Sequence, residues 1–154
     1  MRYLRLTLLP FSWLYGMIMD IRNRLYDAGI FKPVSFNLPV IAVGNLAAGG
    51  TGKTPMIEYI IRLLKMDHKI ATLSRGYRRQ TSGFKIASPA DNASTIGDEP
   101  FQFYIKFNPE ITVAVGEDRA YAIPHILNDH PDTDVLLMDD AFQHRRIKPN
   151  LEIL

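Results

Sequence analysis

A glycine-rich segment that ends in lysine and threonine is the part of the chain best suited to chemistry. It consists of Ala47, Ala48, Gly49, Gly50, Thr51, Gly52, Lys53 and Thr54. Glycines let backbone N–H groups turn toward phosphate oxygens, and a helix that begins here directs its positive end at the same anion. We expect Lys53 to reach the β- and γ-phosphates and the Thr54 hydroxyl to bind Mg²⁺. The segment therefore predicts a phosphate-binding loop of the Walker A type for ATP and Mg²⁺, with Ala47 in place of the first glycine.

An acidic pair follows an apolar run farther along the chain. Residues 135–138 are apolar, and Asp139 and Asp140 come directly after them. In open α/β sheets, ligands bind at the carboxyl ends of the strands. One carboxylate can therefore face a metal ion while the other faces an acceptor or stays structural. Many strands end in aspartate, so it is the glycine-rich segment upstream that favours Asp139 as a Mg²⁺ ligand.

Three shorter polar segments each have a functional and a structural interpretation. Asp98, in the sequence Gly-Asp-Glu-Pro, lies at the start of a predicted helix, where it could act in catalysis or serve as the N-cap. Arginines within residues 74–79 could clamp phosphate or belong to a solvated basic loop. Arg119 lies at a strand–helix junction, where an arginine is more often structural. The residues alone leave these alternatives open.

The elements that must position these residues alternate between strand and helix. Short apolar runs typical of buried parallel strands occur at residues 39–44, 69–74, 111–115, 134–139 and 150–154. Helical spacing of apolar residues occurs at residues 12–29, 54–66, 97–107 and 118–127. A loop is predicted over residues 76–94, with a short strand near residues 84–87. This order predicts an α/β fold similar to P-loop NTPases, with a mainly parallel sheet and flanking helices.

The composition is that of one globular domain. The chain has 154 residues, of which 47% are hydrophobic and 22% charged, and it contains no cysteine. A chain of this length can bury one core, and the absence of cysteine excludes disulfides and thiolate metal sites. The formal net charge of +2 gives no reason to expect nucleic acid as a partner.

An uncharged apolar run lies near the N-terminus. It covers residues 6–19, with Arg2 and Arg5 before it and Arg22 and Arg24 after it. A helix that spans a bilayer needs about 20 apolar residues, and this run is shorter and contains proline and glycine. The flanking arginines and the aromatic residues fit a helix that lies in the membrane interface. An ordinary helix packed on the domain explains the same residues equally well.

The motifs in combination resemble one protein family. In chain order they are Gly44-Asn45-Leu46 with the glycine-rich segment and Pro55, Ser74-Arg75-Gly76-Tyr77, Gly97-Asp98-Glu99-Pro100, and Asp139-Asp140-Ala-Phe-Gln143-His144-Arg145. This combination resembles the tetraacyldisaccharide 4′-kinases, the lipid A kinases of Gram-negative bacteria. Such kinases move the γ-phosphate of ATP to the 4′-hydroxyl of a lipid A disaccharide precursor, tetraacyldisaccharide 1-phosphate, and form lipid IVA. They do so at the cytoplasmic face of the inner membrane.

The resemblance also implies a division of the chain and roles for its residues. Residues 1–31 are expected to form an amphipathic, membrane-associated helix, held peripherally or as an N-terminal anchor. Residues 32–154 are expected to form a P-loop kinase core whose C-terminal part is missing. Asp98 is implied to activate the acceptor hydroxyl together with a histidine beyond residue 154. Asp139 and its neighbour Asp140 are implied to lie on the Mg²⁺ side of the site.

The resemblance further implies that Arg119 is an active-site arginine near phosphate. Two other functions stay open. One is a membrane-recruited P-loop ATPase of the partitioning type, which acts as a switch. ATPases of the partitioning type carry a lysine where this chain has Ala48, and this difference disfavours that function. The other is a segment that binds nucleotide but transfers no phosphate.

Overall fold

The chain forms two compact units, Met1–Pro33 and Val34–Leu154. The computed structural model describes residues 2–44, 52–139 and 146–154. The first unit contains helix α1 (Arg2–Asp27), whose side chains are described from residue 13 onward. The helix predicted over residues 12–29 is thereby confirmed, and it begins earlier than predicted. In the described part of the chain, no helix is both long enough and apolar enough to cross a bilayer.

A mainly parallel sheet lies at the centre of the second unit. Its strands within the described residues are β1 (Val40–Val43), β2 (Ile70–Ser74), β3 (Lys85–Ile86), β4 (Ile111–Val115), β5 (Val135–Asp139) and β6 (Leu151–Ile153). Their order across the sheet is β3-β4-β2-β5-β1-β6, and β3 is antiparallel to β4 while the other neighbours are parallel. The apolar runs that predicted five of these strands agree with the structure to within one residue at each end.

Helices cover both faces of this sheet. They are α2 (Lys53–Leu64), α3 (Ala93–Ile96), α4 (Asp98–Phe107) and α5 (Arg119–Asp129). Ile57 and Ile61 of α2 share one buried cluster with Phe103 of α4. Ile123 and Ile126 of α5 belong to a second cluster on the other face. Because apolar side chains cover both faces, the strands read as continuous apolar runs, and the predicted α/β fold with a mainly parallel sheet is confirmed.

The predicted loop over residues 76–94 contains a helix start that the apolar pattern does not reveal. Asn92 is the N-cap of α3, and its side chain accepts hydrogen bonds from the N–H groups of Ser94 and Thr95. Gly97 then separates α3 from α4 and serves as the N-cap of α4. Asp98 is consequently the first residue of α4, and its interpretation as an N-cap is wrong. Its carboxylate remains available for other contacts.

A buried carboxylate fixes the segment that leads into α3. Asp91 is 8% exposed, and it pairs with Lys85 Nζ at 2.9 Å. Ser88 donates to it from both N–H and hydroxyl, at 3.0 and 2.7 Å, and the Thr95 hydroxyl donates at 2.9 Å. Burial raises the pKa of Asp91, but the contacts from Lys85, Ser88 and Thr95 outweigh it and lower the pKa from 3.8 to about 2. The ionised form is therefore the one that the fold stabilises.

We expect Asp91→Asn to remove a pH-dependent part of the stability. Because the folded pKa lies below the unfolded one, the contribution is present above pH 4 and is lost as the pH falls from 4 to 2. The substitution should lower the free energy of unfolding at pH 7 by on the order of 2 kcal/mol and flatten its dependence on pH in that window. Urea unfolding at several pH values measures both effects. Asp67→Asn, at an exposed position, is the control, and equal stability of the two variants at pH 7 would contradict the prediction.

Candidate active site

A cavity of about 890 Å³ lies where β2 and β5 end and where α2 and α4 begin. The described residues that line it are Gly52, Lys53, Thr54, Pro55, Ser74, Arg75, Gly76, Tyr77, Arg78, Asp98, Glu99, Pro100 and Asp139. These residues come from all four sequence motifs. The structure therefore brings together Lys53, Thr54, Asp98 and Asp139, as the sequence predicts. Residues 45–51 and 140–145, which include the rest of the glycine-rich segment and Asp140, lie outside the described residues.

The end of the glycine-rich segment forms the start of α2. Gly52 is the N-cap with φ 81°, in the left-handed region that favours glycine. Lys53 and Thr54 form the beginning of the helix, and both are half-buried at the cavity. The first N–H groups of a helix lack partners within it and carry partial positive charge. This end of the cavity is therefore suited to an anion such as a phosphate group.

The Thr54 hydroxyl connects two of the motifs. Thr54 Oγ1 donates a hydrogen bond to Glu99 Oε1 at 2.6 Å. Glu99 is half-buried in the first turn of α4, and the sequence by itself predicts no role for it. The sequence does hold one signal for Glu99, which is that two acidic residues stand side by side before Pro100. Neighbouring side chains on a helix point in different directions, so the two carboxylates are expected to have different partners.

Oxygen donors from three elements line the cavity. Asp139, 4% exposed, ends β5, and it lines the cavity with Thr54 and Glu99. Carboxylate and hydroxyl oxygens are the ligands that Mg²⁺ prefers, so these residues fit the predicted ion. The described residues hold no cluster of three or more acidic, histidine or cysteine side chains for a metal. Mg²⁺ bound here would thus complete its coordination with water and phosphate oxygens, as it usually does.

Asp98 lies at the cavity with an exposed side chain. It occupies the first position of α4, next to Glu99, and it lines the same cavity as Lys53. Its carboxylate can thus meet a hydroxyl group of a ligand that enters from solvent. A general base must lie within hydrogen-bond reach of the proton that it accepts, and this position satisfies that need for a ligand in the cavity.

Two glycines allow the second and third motifs to touch. Gly76 and Gly97 have φ values of 74° and 96°. A Cβ atom on Gly97 would lie 3.1 Å from Gly76 Cα and 3.2 Å from the Tyr77 carbonyl oxygen. A Cβ atom on Gly76 would lie 2.5 Å from Arg79 Cδ. The loop after β2 and the start of α4 therefore abut backbone to backbone, and each motif needs its glycine for that contact.

We expect Gly97→Ala to destabilise the protein more than Gly83→Ala. Both glycines have positive φ, but a Cβ on Gly83 would have nothing within 4 Å. Gly97, with φ 96° and ψ 155°, also occupies a region that is essentially restricted to glycine. Gly97→Ala should cost about 3 kcal/mol or more, against about 1 kcal/mol for Gly83→Ala. Urea unfolding of the two variants measures the difference, and equal costs would show that the contact with Gly76 contributes nothing.

Arg119 contacts the backbone of Asp139 but is not among the residues that line the cavity. It is 2% exposed, and its Nη2 donates to the backbone carbonyl of Asp139 at 2.9 Å. Asp118 precedes it as the N-cap of α5, accepting from the N–H groups of Ala120 and Tyr121. Arg119 thus holds the backbone of the residue whose side chain lines the cavity. This is a structural role, and the contact with phosphate that the resemblance implies stays a prediction.

Three exposed side chains after β2 line the cavity on the side of the second motif. They belong to Arg75, Tyr77 and Arg78. Arg78 has φ 60°, which is uncommon for a residue with a side chain, and its guanidinium lies 5.3 Å from the centre of the Tyr77 ring. Of the two interpretations of this arginine-rich segment, its position at the cavity favours contact with an anionic ligand.

The fold and the cavity define an α/β protein whose site lies at the carboxyl edge of a mainly parallel sheet. The family model for tetraacyldisaccharide-1-P 4′-kinase matches residues 4–154. The chain therefore belongs to the tetraacyldisaccharide-1-P 4′-kinase family, and the resemblance found in the motifs is confirmed.

Similar proteins have longer chains than this one. The tetraacyldisaccharide 4′-kinase of Flavobacterium psychrophilum is 56% identical over 154 residues, which are 100% of this chain and 45% of that protein. The tetraacyldisaccharide 4′-kinase of Phocaeicola vulgatus is 52% identical over 149 residues, which are 96% of this chain and 40% of that protein. A crystal structure of LpxK from Aquifex aeolicus in complex with ATP is similar with a TM-score of 0.83 and 41% identity, over 98% of this chain and 48% of that one. The chain thus spans less than half the length of the relatives that it matches.

Proposed function

We propose that the full-length protein transfers the γ-phosphate of ATP to the 4′-hydroxyl of tetraacyldisaccharide 1-phosphate. The observation that carries this proposal is the cavity, where Lys53, Thr54, Asp98 and Asp139 meet from three separate segments of the chain. Lys53 and the N-terminus of α2 suit the phosphate groups of a donor, and the exposed carboxylate of Asp98 suits the hydroxyl group of an acceptor. Membership of the kinase family supports the same reaction.

ATP is the proposed donor, bound by the P-loop that residues 47–54 are predicted to form. The ATP complex of the Aquifex aeolicus relative supports this choice. Lys53 would bind the β- and γ-phosphates and compensate the charge that spreads over the transferring group. Thr54 and Asp139 would hold Mg²⁺, and Glu99, which accepts a hydrogen bond from the Thr54 hydroxyl, would hold that hydroxyl in place. The ion supplies further charge compensation when it is bound.

Asp98 is the proposed base. The bond that forms joins the acceptor oxygen to the γ-phosphorus, and the bond that breaks joins this phosphorus to the bridging oxygen of ATP. The proton of the 4′-hydroxyl passes to the Asp98 carboxylate, and ADP leaves. An alcohol is a poor nucleophile at neutral pH, so a carboxylate within hydrogen-bond reach makes the attack easier. A histidine beyond residue 154 would assist Asp98, as the resemblance implies.

A transfer assay tests the proposal. The full-length protein is given ATP labelled at the γ-phosphate, with and without tetraacyldisaccharide 1-phosphate, and the labelled lipid and the ADP are both measured. We expect ADP to form together with 4′-phosphorylated lipid and only when the acceptor is present. ADP formation without acceptor would instead indicate an ATPase switch. Residues 1–154 alone, assayed in parallel for nucleotide binding and transfer, should bind ATP without transferring phosphate.

We further propose that α1 lies in the membrane interface on the cytoplasmic side. Exposed apolar side chains recur on α1 at helical spacing, at positions 13, 14, 17, 18 and 21, and Trp13 is 74% exposed. Arg22 lies over the Tyr26 ring at 5.5 Å, which places a cation and an aromatic ring side by side at the end of this stretch. Aromatic rings and cations both favour the interface. A lipid acceptor would then reach the enzyme without leaving the membrane.

Binding to vesicles checks the role of α1. Trp13 is the single tryptophan of the chain, so its fluorescence reports burial in lipid. We expect a blue shift on addition of vesicles with anionic lipid, and weaker binding for Ile18→Gln. Asp20→Asn, at an exposed polar position of the same helix, is the matched control and should bind at least as well as the wild type. An unchanged emission spectrum with vesicles would exclude the interfacial position.

A further inference from the structure

Of the three arginines in residues 74–79, Arg79 is not among the residues that line the cavity. Arg75 and Arg78 are exposed at the cavity, whereas the Arg79 side chain is only 2% exposed. Arg79 Nη2 donates to Glu117 Oε1 at 2.5 Å and also to the carbonyl of Gly83. A guanidinium buried this deeply is expensive to desolvate unless it has such partners. Arg79 is therefore placed to fix neighbouring segments.

Glu117 binds the backbone of Gly83 as well as Arg79. Its other oxygen, Oε2, accepts a hydrogen bond from the Gly83 N–H at 2.9 Å. Arg79 thus binds the carbonyl of Gly83 while Glu117 binds its N–H group. Partial burial raises the pKa of Glu117, but the hydrogen bond and charge of Arg79 and the backbone hydrogen bonds, including the one from Gly83, together outweigh it, so the pKa is lowered. Glu117 lies between β4 and α5, so the pair connects the loop after β2 to the loop after β4.

The same arginine supports the cavity wall that residues 75–78 form. The Arg79 N–H donates to the carbonyl of Gly76 at 3.2 Å, which closes a turn around Tyr77 and Arg78. The Arg79 side chain also lies directly behind Gly76, where a Cβ atom would touch its Cδ. The wall has few buried side chains of its own, because Arg75, Tyr77 and Arg78 are exposed. Its shape therefore depends on Arg79 as well as on the backbone contact between Gly76 and Gly97.

The wall lies next to the proposed base. Gly97 abuts Gly76 and the Tyr77 carbonyl, and Asp98 follows Gly97 directly. A ligand hydroxyl that reaches Asp98 therefore brings the rest of that ligand against residues 75–78. The start of α2, with Lys53, is a different part of the cavity lining and is assigned to the nucleotide.

We propose that Arg79 and Glu117 are a positioning pair that fixes the wall of residues 75–78 for the phosphate acceptor. This inference rests on the proposed kinase function. Neither residue needs to touch the acceptor. A loose wall weakens the contacts that orient the acceptor, while the nucleotide contacts at the start of α2 stay as they are.

Steady-state kinetics of the full-length protein test the pair. Glu117→Gln removes the charge but keeps the shape. Arg79→Lys keeps the charge but loses the guanidinium nitrogen Nη2, which donates to both Glu117 and Gly83. For both variants we expect the KM for the lipid acceptor to rise about tenfold, with the KM for ATP changed less than about twofold. Amide hydrogen exchange over residues 75–83 should become faster in both.

A second ion pair provides the matched control. Lys65, just after α2, pairs with Glu110, just before β4, and both are outside the residues that line the cavity. Glu110→Gln should leave both KM values and the exchange of residues 75–83 unchanged. Thermal unfolding of all variants shows whether a change in KM or in hydrogen exchange is caused by a loss of overall stability.

The outcomes are distinct. A rise in the acceptor KM alone, in variants that remain folded, supports the positioning pair. Unchanged kinetics, an equal rise of both KM values, or a variant that does not fold would overturn it, because each shows either no role or a general structural one. If the wild-type protein transfers no phosphate to the lipid, the proposed function and this inference fail together. If it transfers phosphate and only the variants behave contrary to expectation, the inference alone fails.

Discussion

Lys53→Ala should abolish measurable phosphate transfer by the full-length protein. Lys53 is the first residue of α2 and lines the cavity together with Thr54 and Asp139. Its ammonium group is the only lysine cation among the described cavity residues, and in the transition state negative charge is spread over the oxygens of the transferring phosphoryl group. Removing one such contact typically slows the chemical step by at least about 100-fold. The rate of lipid phosphorylation at saturating ATP and acceptor measures the loss.

Two companion variants make this result specific. Lys65→Ala removes a lysine just beyond the other end of the same helix, where it pairs with Glu110, and should transfer phosphate at the wild-type rate. Lys53→Arg keeps a positive charge but replaces a compact ammonium with a broad planar group, so we expect it to restore only part of the rate. Substantial transfer by Lys53→Ala would mean that the donor phosphates bind elsewhere in the cavity.

Asp98→Asn should slow turnover far more than it weakens ATP binding. The carboxylate of Asp98 is exposed at the cavity, and the amide that replaces it has nearly the same shape but accepts no proton. General-base catalysis contributes about 100- to 10,000-fold, so kcat should fall within that range. The dissociation constant of ATP should change less than about twofold, because the nucleotide is assigned to the start of α2.

A neighbouring aspartate supplies the control for this variant. Asp118 also lies at the start of a helix and follows a strand of the same sheet, but its side chain caps α5 and pairs with Arg146. Asparagine caps helices as well as aspartate does, so Asp118→Asn tests the loss of a carboxylate without loss of the cap. It should retain wild-type kcat. If Asp98→Asn also retained it, Asp98 would not be the base.

The sheet could be predicted from the sequence because each of its central strands is a short apolar run. Residues 111–115, for example, are buried on both faces by α4 on one side and α5 on the other, so polar residues seldom interrupt them. The edge strand β3 is harder to predict. Only its two residues Lys85 and Ile86 pair, both are half-buried, and a run that short has no period.

The cavity could be predicted as a set of motifs but not as a set of contacts. Lys53, Thr54 and Asp139 are predicted there because a phosphate loop and a strand end require such residues, whereas the role of Asp98 is implied by the family resemblance. The burial of Arg79 could not be inferred, since three arginines occur within five positions and the sequence gives no reason to separate them. Nor could the contact between Gly76 and Gly97 be inferred, because it joins residues far apart in the chain.

The position of β5 in the sheet has a consequence for how the chain folds during synthesis. β5 lies between β1 and β2, with Asp139 beside Val43 and Met138 beside Leu73. These two earlier strands leave the ribosome first, yet the strand that joins them is almost a hundred residues behind β1. Until residues 135–139 insert, no strand lies between β1 and β2 to hold the segment with Lys53 beside the segment with Arg75. The nascent chain therefore completes its ligand cavity only after β5 has left the ribosome, and ATP added during translation should stabilise only chains long enough to expose β5.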